Sequence, residues 1–138
     1  MGGFSTVSPP YAPIIARTTY TTTFSTTSTT EVDVTGLSVS VTLSKTSDVF
    51  VYVHLSYVYN SSAGYTLFSR IYRGTTLLKE ARCGNPSANN YMPLCLQVLG
   101  RNVAPGTYTY KLRGFVDGGT GYWAMGMALP GEIVVIVF

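Results

Sequence analysis

The chain has 138 residues, of which 46% are hydrophobic and only 11% charged, with a net charge of +3. The length suffices for one domain with its own core, and the charged share is less than half the usual one, as on a surface largely covered by neighbours. The nine basic residues are scattered, which argues against a nucleic-acid footprint. The longest apolar run, "IVVIVF" at residues 133–138, is too short to span a bilayer as a helix.

The first residues, "MGGFSTVSPPYAPIIA", lack the basic start and apolar core of a signal peptide. "SPPYAP" places three prolines within five residues, which suits extended chain and not a central strand. Next comes "TTYTTTFSTTSTT", residues 18–30, with nine threonines, two serines, two aromatics and no charge. Three readings fit this stretch. It is a disordered, mucin-like segment, or an ordinary first strand, or an arm that adds a strand to a neighbouring molecule. In extended chain Tyr20 and Phe24 share a face. On the exchanged-arm reading, Ile14, Ile15, Tyr20 and Phe24 are the contact residues, and the chain divides into an extended arm, 1–30, and a β-sandwich domain, 31–138.

From residue 31 onward, period-two alternation dominates and helical periodicity is missing. "LSVSVTL" places Leu37, Val39, Val41 and Leu43 on one face. In "VFVYVHLSYVY", Val49, Val51, Val53, Leu55, Tyr57 and Tyr59 share a face, and Phe50, Tyr52, His54, Ser56 and Val58 share the other. Both faces are apolar, so this strand is expected to be covered on both sides. "YTLFSRIYRGTTLLKEAR" breaks at Arg73-Gly74 into a hairpin. "MPLCLQVL" turns Met92, Leu94, Leu96 and Val98 inward. A turn at Ala104-Pro105-Gly106 opens the strand from Thr107 to Val116. "DGGTG" is a loop, and Pro130-Gly131 separates "YWAMGMAL" from "EIVVIVF", an inner strand. About eight strands joined by Gly, Pro and Asn turns make an all-β, antiparallel two-sheet sandwich of the jelly-roll kind, with an extended N-terminal arm.

The search for chemistry finds no reaction. The one histidine, His54, lies mid-strand, and neither a nucleophile with a base nor a phosphate loop is visible. No zinc spacing occurs, and no metal or other cofactor is implied. The chain is therefore read as a non-enzyme. Cys83 and Cys95 enclose eleven residues. A disulfide there would contribute about 3 kcal/mol; two free thiols are the alternative. Asn60-Ser61-Ser62 is a glycosylation sequon. Trp123, Tyr122 and Tyr65 are candidates to stack on a sugar ring or touch a receptor, with core packing as the bland alternative.

"SRIYRGTTLL", "LQVLGRNVAPGTYTYKLRGFVDGGTG" and the closing "EIVVIVF" resemble the tumour-necrosis-factor-like and complement-type jelly rolls of phage and viral structural proteins. Pro105, Gly106, Thr107, Tyr108, Tyr110 and Leu112 carry the match, which covers Tyr65 to Phe138. The composition also resembles that of archaeal virus structural proteins and extracellular filaments. The resemblance implies trimeric heads, fibres, turrets or decoration proteins. The expectation is a structural subunit on a virion surface or in an extracellular assembly, partnered by copies of itself or by other virion proteins. The alternative is a head domain that binds host surface glycans or a receptor for attachment.

Overall fold

Alternating inward and outward side chains resolve into ten strands in the computed structural model, which describes residues 14–124 and 130–138. They are β1 (Ile14–Tyr20), β2 (Phe24–Thr26), β3 (Val32–Leu43), β4 (Ser47–Asn60), β5 (Thr66–Arg73), β6 (Thr76–Gly84), β7 (Met92–Val103), β8 (Gly106–Val116), β9 (Gly121–Ala124) and β10 (Gly131–Val137). No helix occurs among the described residues. Every pairing is antiparallel.

The strands form two sheets. The four-stranded sheet has the order β3-β8-β5-β6. In the six-stranded sheet, β7 runs along one edge of β4, and β10 and β9 lie end to end along the other. β1 pairs with β10 and β2 with β9. Two positions of this sheet are thus each filled by an interrupted strand, so ten strands occupy eight places. The fold is a jelly-roll β-sandwich.

The Thr-rich stretch forms strand within its own chain. Ile14 to Tyr20 pair with Val137 to Gly131, and Phe24 to Thr26 pair with Trp123 to Gly121. Tyr20 and Phe24 both pack against the core, as their shared face requires. Residues 14–26 therefore complete the six-stranded sheet and do not stand apart from it. "SPPYAP" lies outside the described residues.

The core fills the space between the sheets. Leu37, Val39, Val41 and Leu43 of β3 face Val49, Val51, Val53 and Leu55 of β4, and Ile133, Val135 and Val137 of β10 join them. Burying one such side chain is worth roughly 1.5–3 kcal/mol. β10 lies between β1 and β4, which explains why "IVVIVF" has no polar face. The hairpin between β5 and β6 turns on Gly74, whose φ of 58° suits glycine.

One expected face is reversed. The register between β4 and β7 shifts between Leu55 and Val58. Past that bulge Val58 and Asn60 are buried, while Tyr57 and Tyr59 are only half-buried on the outer side. An extra residue in one strand moves every later side chain to the opposite face.

Candidate interaction surface

The two outer faces of the sandwich differ in chemistry. On the four-stranded sheet, register sets Glu80, Arg70, Arg113 and Asp33 in one row across β6, β5, β8 and β3. Arg70 pairs with both Glu31 and Glu80, Arg82 with Glu80, and Arg113 with Glu31 and Asp33. The Tyr72 hydroxyl donates to both oxygens of Glu31. Phe68 stacks on Phe115 with ring centres 4.4 Å apart, and Arg82 and Arg70 lie over these rings. Partial burial alone would raise the Glu31 carboxyl; hydrogen bonds from Tyr72 and Arg70 and the charges of Arg70 and Arg113 outweigh it and hold the group below the usual carboxylate range. Hydrogen bonds from Arg82 and Arg70 lower Glu80 likewise. Lys111 adds a further pair to Asp33, so each charged side chain named on this face has an ionic partner.

The outer face of the six-stranded sheet is built from rows that cross β1, β10, β4 and β7. The first row is Ile15, Ile136, Phe50 and Leu99. The second is Arg17, Val134, Tyr52 and Gln97, and the third is Thr19, Glu132, His54 and Cys95. Directly opposed side chains in such rows sit about 4.5–5.5 Å apart at Cβ and form one surface. Ile15 is 56% exposed and Leu99 43%. Along β4 the rings of Phe50, Tyr52 and His54 follow one another at 6.0 and 6.2 Å.

Beyond the bulge the aromatic ladder continues as four tyrosines. Tyr59 stacks on Tyr122 of β9 at 4.6 Å and 7°, and Tyr91 meets the edges of Tyr57 and Tyr59 at 5.0 and 4.6 Å. Tyr91 is 58% exposed. Burial and the neighbouring phenols raise the Tyr59 hydroxyl above its ordinary value.

The residues expected to line one ligand site are separated. Trp123 is 0% exposed and donates its indole N–H to Ser69 Oγ at 2.9 Å. Alternation along β9 sends Trp123 inward and Tyr122 outward, and the missing side chains of Gly114 and Gly121 make room for the indole. Trp123 is therefore a core residue and not a surface contact. Tyr65 lies over Gly118 at the end of the sandwich, beside a shallow groove lined by Gly64, Thr66, Gly84 and Pro86. Of the three, Tyr122 alone belongs to the tyrosine cluster.

For the sequon the geometry is unfavourable, and for the cysteines it takes the free-thiol alternative. Asn60 is 0% exposed; its Nδ2 donates to the Gly118 carbonyl and its Oδ1 accepts from the Ser62 N–H. An amide enclosed in this way offers no acceptor for a glycan. Cys83 and Cys95 are free thiols. Cys83 points into the core from β6, with its thiol on Met92 Sδ at 3.3 Å, whereas Cys95 is exposed on β7 in the other sheet. A bridge needs Cβ atoms about 3.5–4.5 Å apart with converging bonds, and these two side chains point to opposite sides of a sheet.

His54 Nε2 lies 2.9 Å from Glu132 Oε1. The pair lies in an open groove of about 460 Å³, walled by Pro93, Cys95, Pro130 and Ser56. Among the described residues, no group of three or more His, Cys, Asp or Glu is placed to hold a metal ion, and no helix is long and apolar enough to cross a membrane.

No known family model matches the sequence, and no curated protein does. Solved structures do match its fold. One chain of infectious bursal disease virus, Gx strain, aligns with TM-score 0.59 and 14% identity over 93% of this chain and 32% of its own length. The VP2 subviral particle of the same virus aligns with TM-score 0.59 and 12% identity, over 90% and 32%. Eiger TNF from S. frugiperda aligns with TM-score 0.56 and 15% identity, over 93% and 94%. The chain thus spans about a third of the viral chains and nearly all of the insect one. These likenesses establish a jelly-roll, tumour-necrosis-factor-like fold. They carry that part of the sequence resemblance, and not its phage or archaeal-virus part.

Proposed function

We propose that this protein is a non-enzymatic structural subunit of a virion or similar extracellular assembly, and that copies of it meet through the outer face of the six-stranded sheet. One observation carries the reading: the row Ile15, Ile136, Phe50 and Leu99 crosses four strands without a polar side chain. Contiguous exposed apolar surface of this kind marks a contact site. The second row adds one charge, Arg17, and the opposite face keeps its own charges internally paired. A second copy presents the same charge-poor surface, so its burial involves few charged groups, Arg17 and Glu132 in the rows named. The viral neighbours support the reading through their names, one a subviral particle and another derived T=1 particles.

On this reading the contact is a sheet face and not an exchanged arm. Ile15 contributes to it from β1, while Tyr20 and Phe24 serve their own core. Sedimentation velocity tests the proposal. The wild-type chain should sediment as an oligomer, and Phe50→Asp should sediment as a folded monomer. Thr42→Asp on the other sheet should leave assembly intact. A wild-type monomer at every concentration contradicts the proposal.

The tyrosine cluster favours a second reading, host attachment through a surface glycan. Exposed aromatic rings stack on sugar faces, and Tyr91 offers such a ring beside the half-buried Tyr59 and Tyr122. Saturable binding on a glycan array, lost in Tyr91→Ala, would support it. A blank array would remove it.

A further inference from the structure

We propose that His54 and Glu132 make the association of copies pH-dependent, with proton uptake by His54 tightening it; this rests on the self-association reading above. The pair sits in the third row of the contact face, between Thr19 and Cys95. Its side chains are partly open to water, His54 at 45% and Glu132 at 18%, so a proton can reach the imidazole while the face is free.

The groups around His54 define the sign. On β4, Tyr52 stacks against the imidazole at 6.2 Å and 13°. Across β7 stands Cys95, and across β10 stands Glu132. β1 contributes Arg17, one row away opposite Val134, and among the described residues no ion pair joins it to Glu132. Of these residue types, histidine is the one whose charge ordinarily changes between about pH 5 and 8.

With a neutral imidazole, the Glu132 carboxylate comes to the contact with a neutral donor as its hydrogen-bond partner, Arg17 standing one row away and unpaired with it. Closing water off from an uncompensated carboxylate is costly. With a protonated imidazole, the pair is net neutral and its hydrogen bond is charge-assisted. The face then loses its water more readily, so the protonated form associates better. By linkage, association in turn favours the proton on His54.

Sedimentation equilibrium between pH 8 and pH 5.5, at constant ionic strength, tests this on the full chain. The wild type should associate about tenfold more tightly at the acid end. His54→Gln should associate with no pH slope. Glu132→Gln should reverse the slope, because acid then creates an unpaired imidazolium at the contact. Emission from the buried Trp123 reports that each variant is folded. An association constant that is flat in the wild type, or a slope that persists in His54→Gln, overturns the inference and leaves the self-association reading standing. A chain that stays monomeric at every pH overturns both.

Discussion

The indole N–H of Trp123 donates to Ser69 Oγ and so ties the six-stranded sheet to the four-stranded one through the middle of the core. The ring lies against Gly114, where an added Cβ would stand 2.3 Å from it. Ser69→Ala leaves a buried donor without a partner and should cost about 1–3 kcal/mol. Gly114→Ala forces the indole out of place and should cost roughly 1–3 kcal/mol through overpacking. Urea unfolding followed by Trp123 emission measures both. Losses within the roughly 0.5 kcal/mol of ordinary surface substitutions would show that this contact does not hold the sheets together.

The Glu31 network makes stability depend on acid. Its folded carboxyl is lowered, so the stabilisation is fully present above the unfolded value, about 4.3 for a glutamate, and is lost as pH falls through the lowered folded value. Glu31→Gln should cost about 1–2 kcal/mol at pH 7, partial exposure having reduced the charge contribution. The difference between wild type and variant should shrink below pH 4. Thermal unfolding from pH 7 to pH 2.5 gives the comparison, and a gap that stays constant with pH would refute the assignment.

The thiols should behave independently. An aromatic disulfide reagent should label Cys95 at once in the folded protein at a dilution where copies are apart. Burial pushes the Cys83 thiol up and shields it, so it should react only on unfolding. Cys95→Ser should change stability by no more than about 0.5 kcal/mol. Simultaneous protection of both thiols under non-reducing conditions would instead indicate a bond between them.

The alternation of Leu37 to Leu43 and of Val49 to Leu55 is enough to establish two packed sheets, because period two follows directly from strand geometry. The turn at Gly74 and the inner position of β10 are equally legible. The tyrosine cluster was not, because a bulge is a tertiary decision: it exchanges the faces of Tyr57, Val58, Tyr59 and Asn60. The sequence does carry a trace of it, since Leu55 and Val58, both apolar, stand three apart where an unbroken strand needs an even spacing. Nor could Trp123 be placed from composition, because its pocket depends on Gly114 of β8 and on Ser69 of β5, both in the other sheet, and Ser69 is far away in sequence. The contact face itself is readable only after register is known. Ile15, Phe50, Leu99 and Ile136 come from four separated segments, and no linear pattern joins them.

Hydroxyl-radical footprinting across a range of protein concentrations tests the location of the contact most directly. As concentration rises, oxidation of Phe50, Tyr52, Leu99 and Ile136 should fall together, while Leu77, exposed on β6 of the other sheet, keeps its dilute-solution rate. Unchanged labelling of Phe50 and Leu99 in an assembled sample, or protection confined to Leu77, would contradict it.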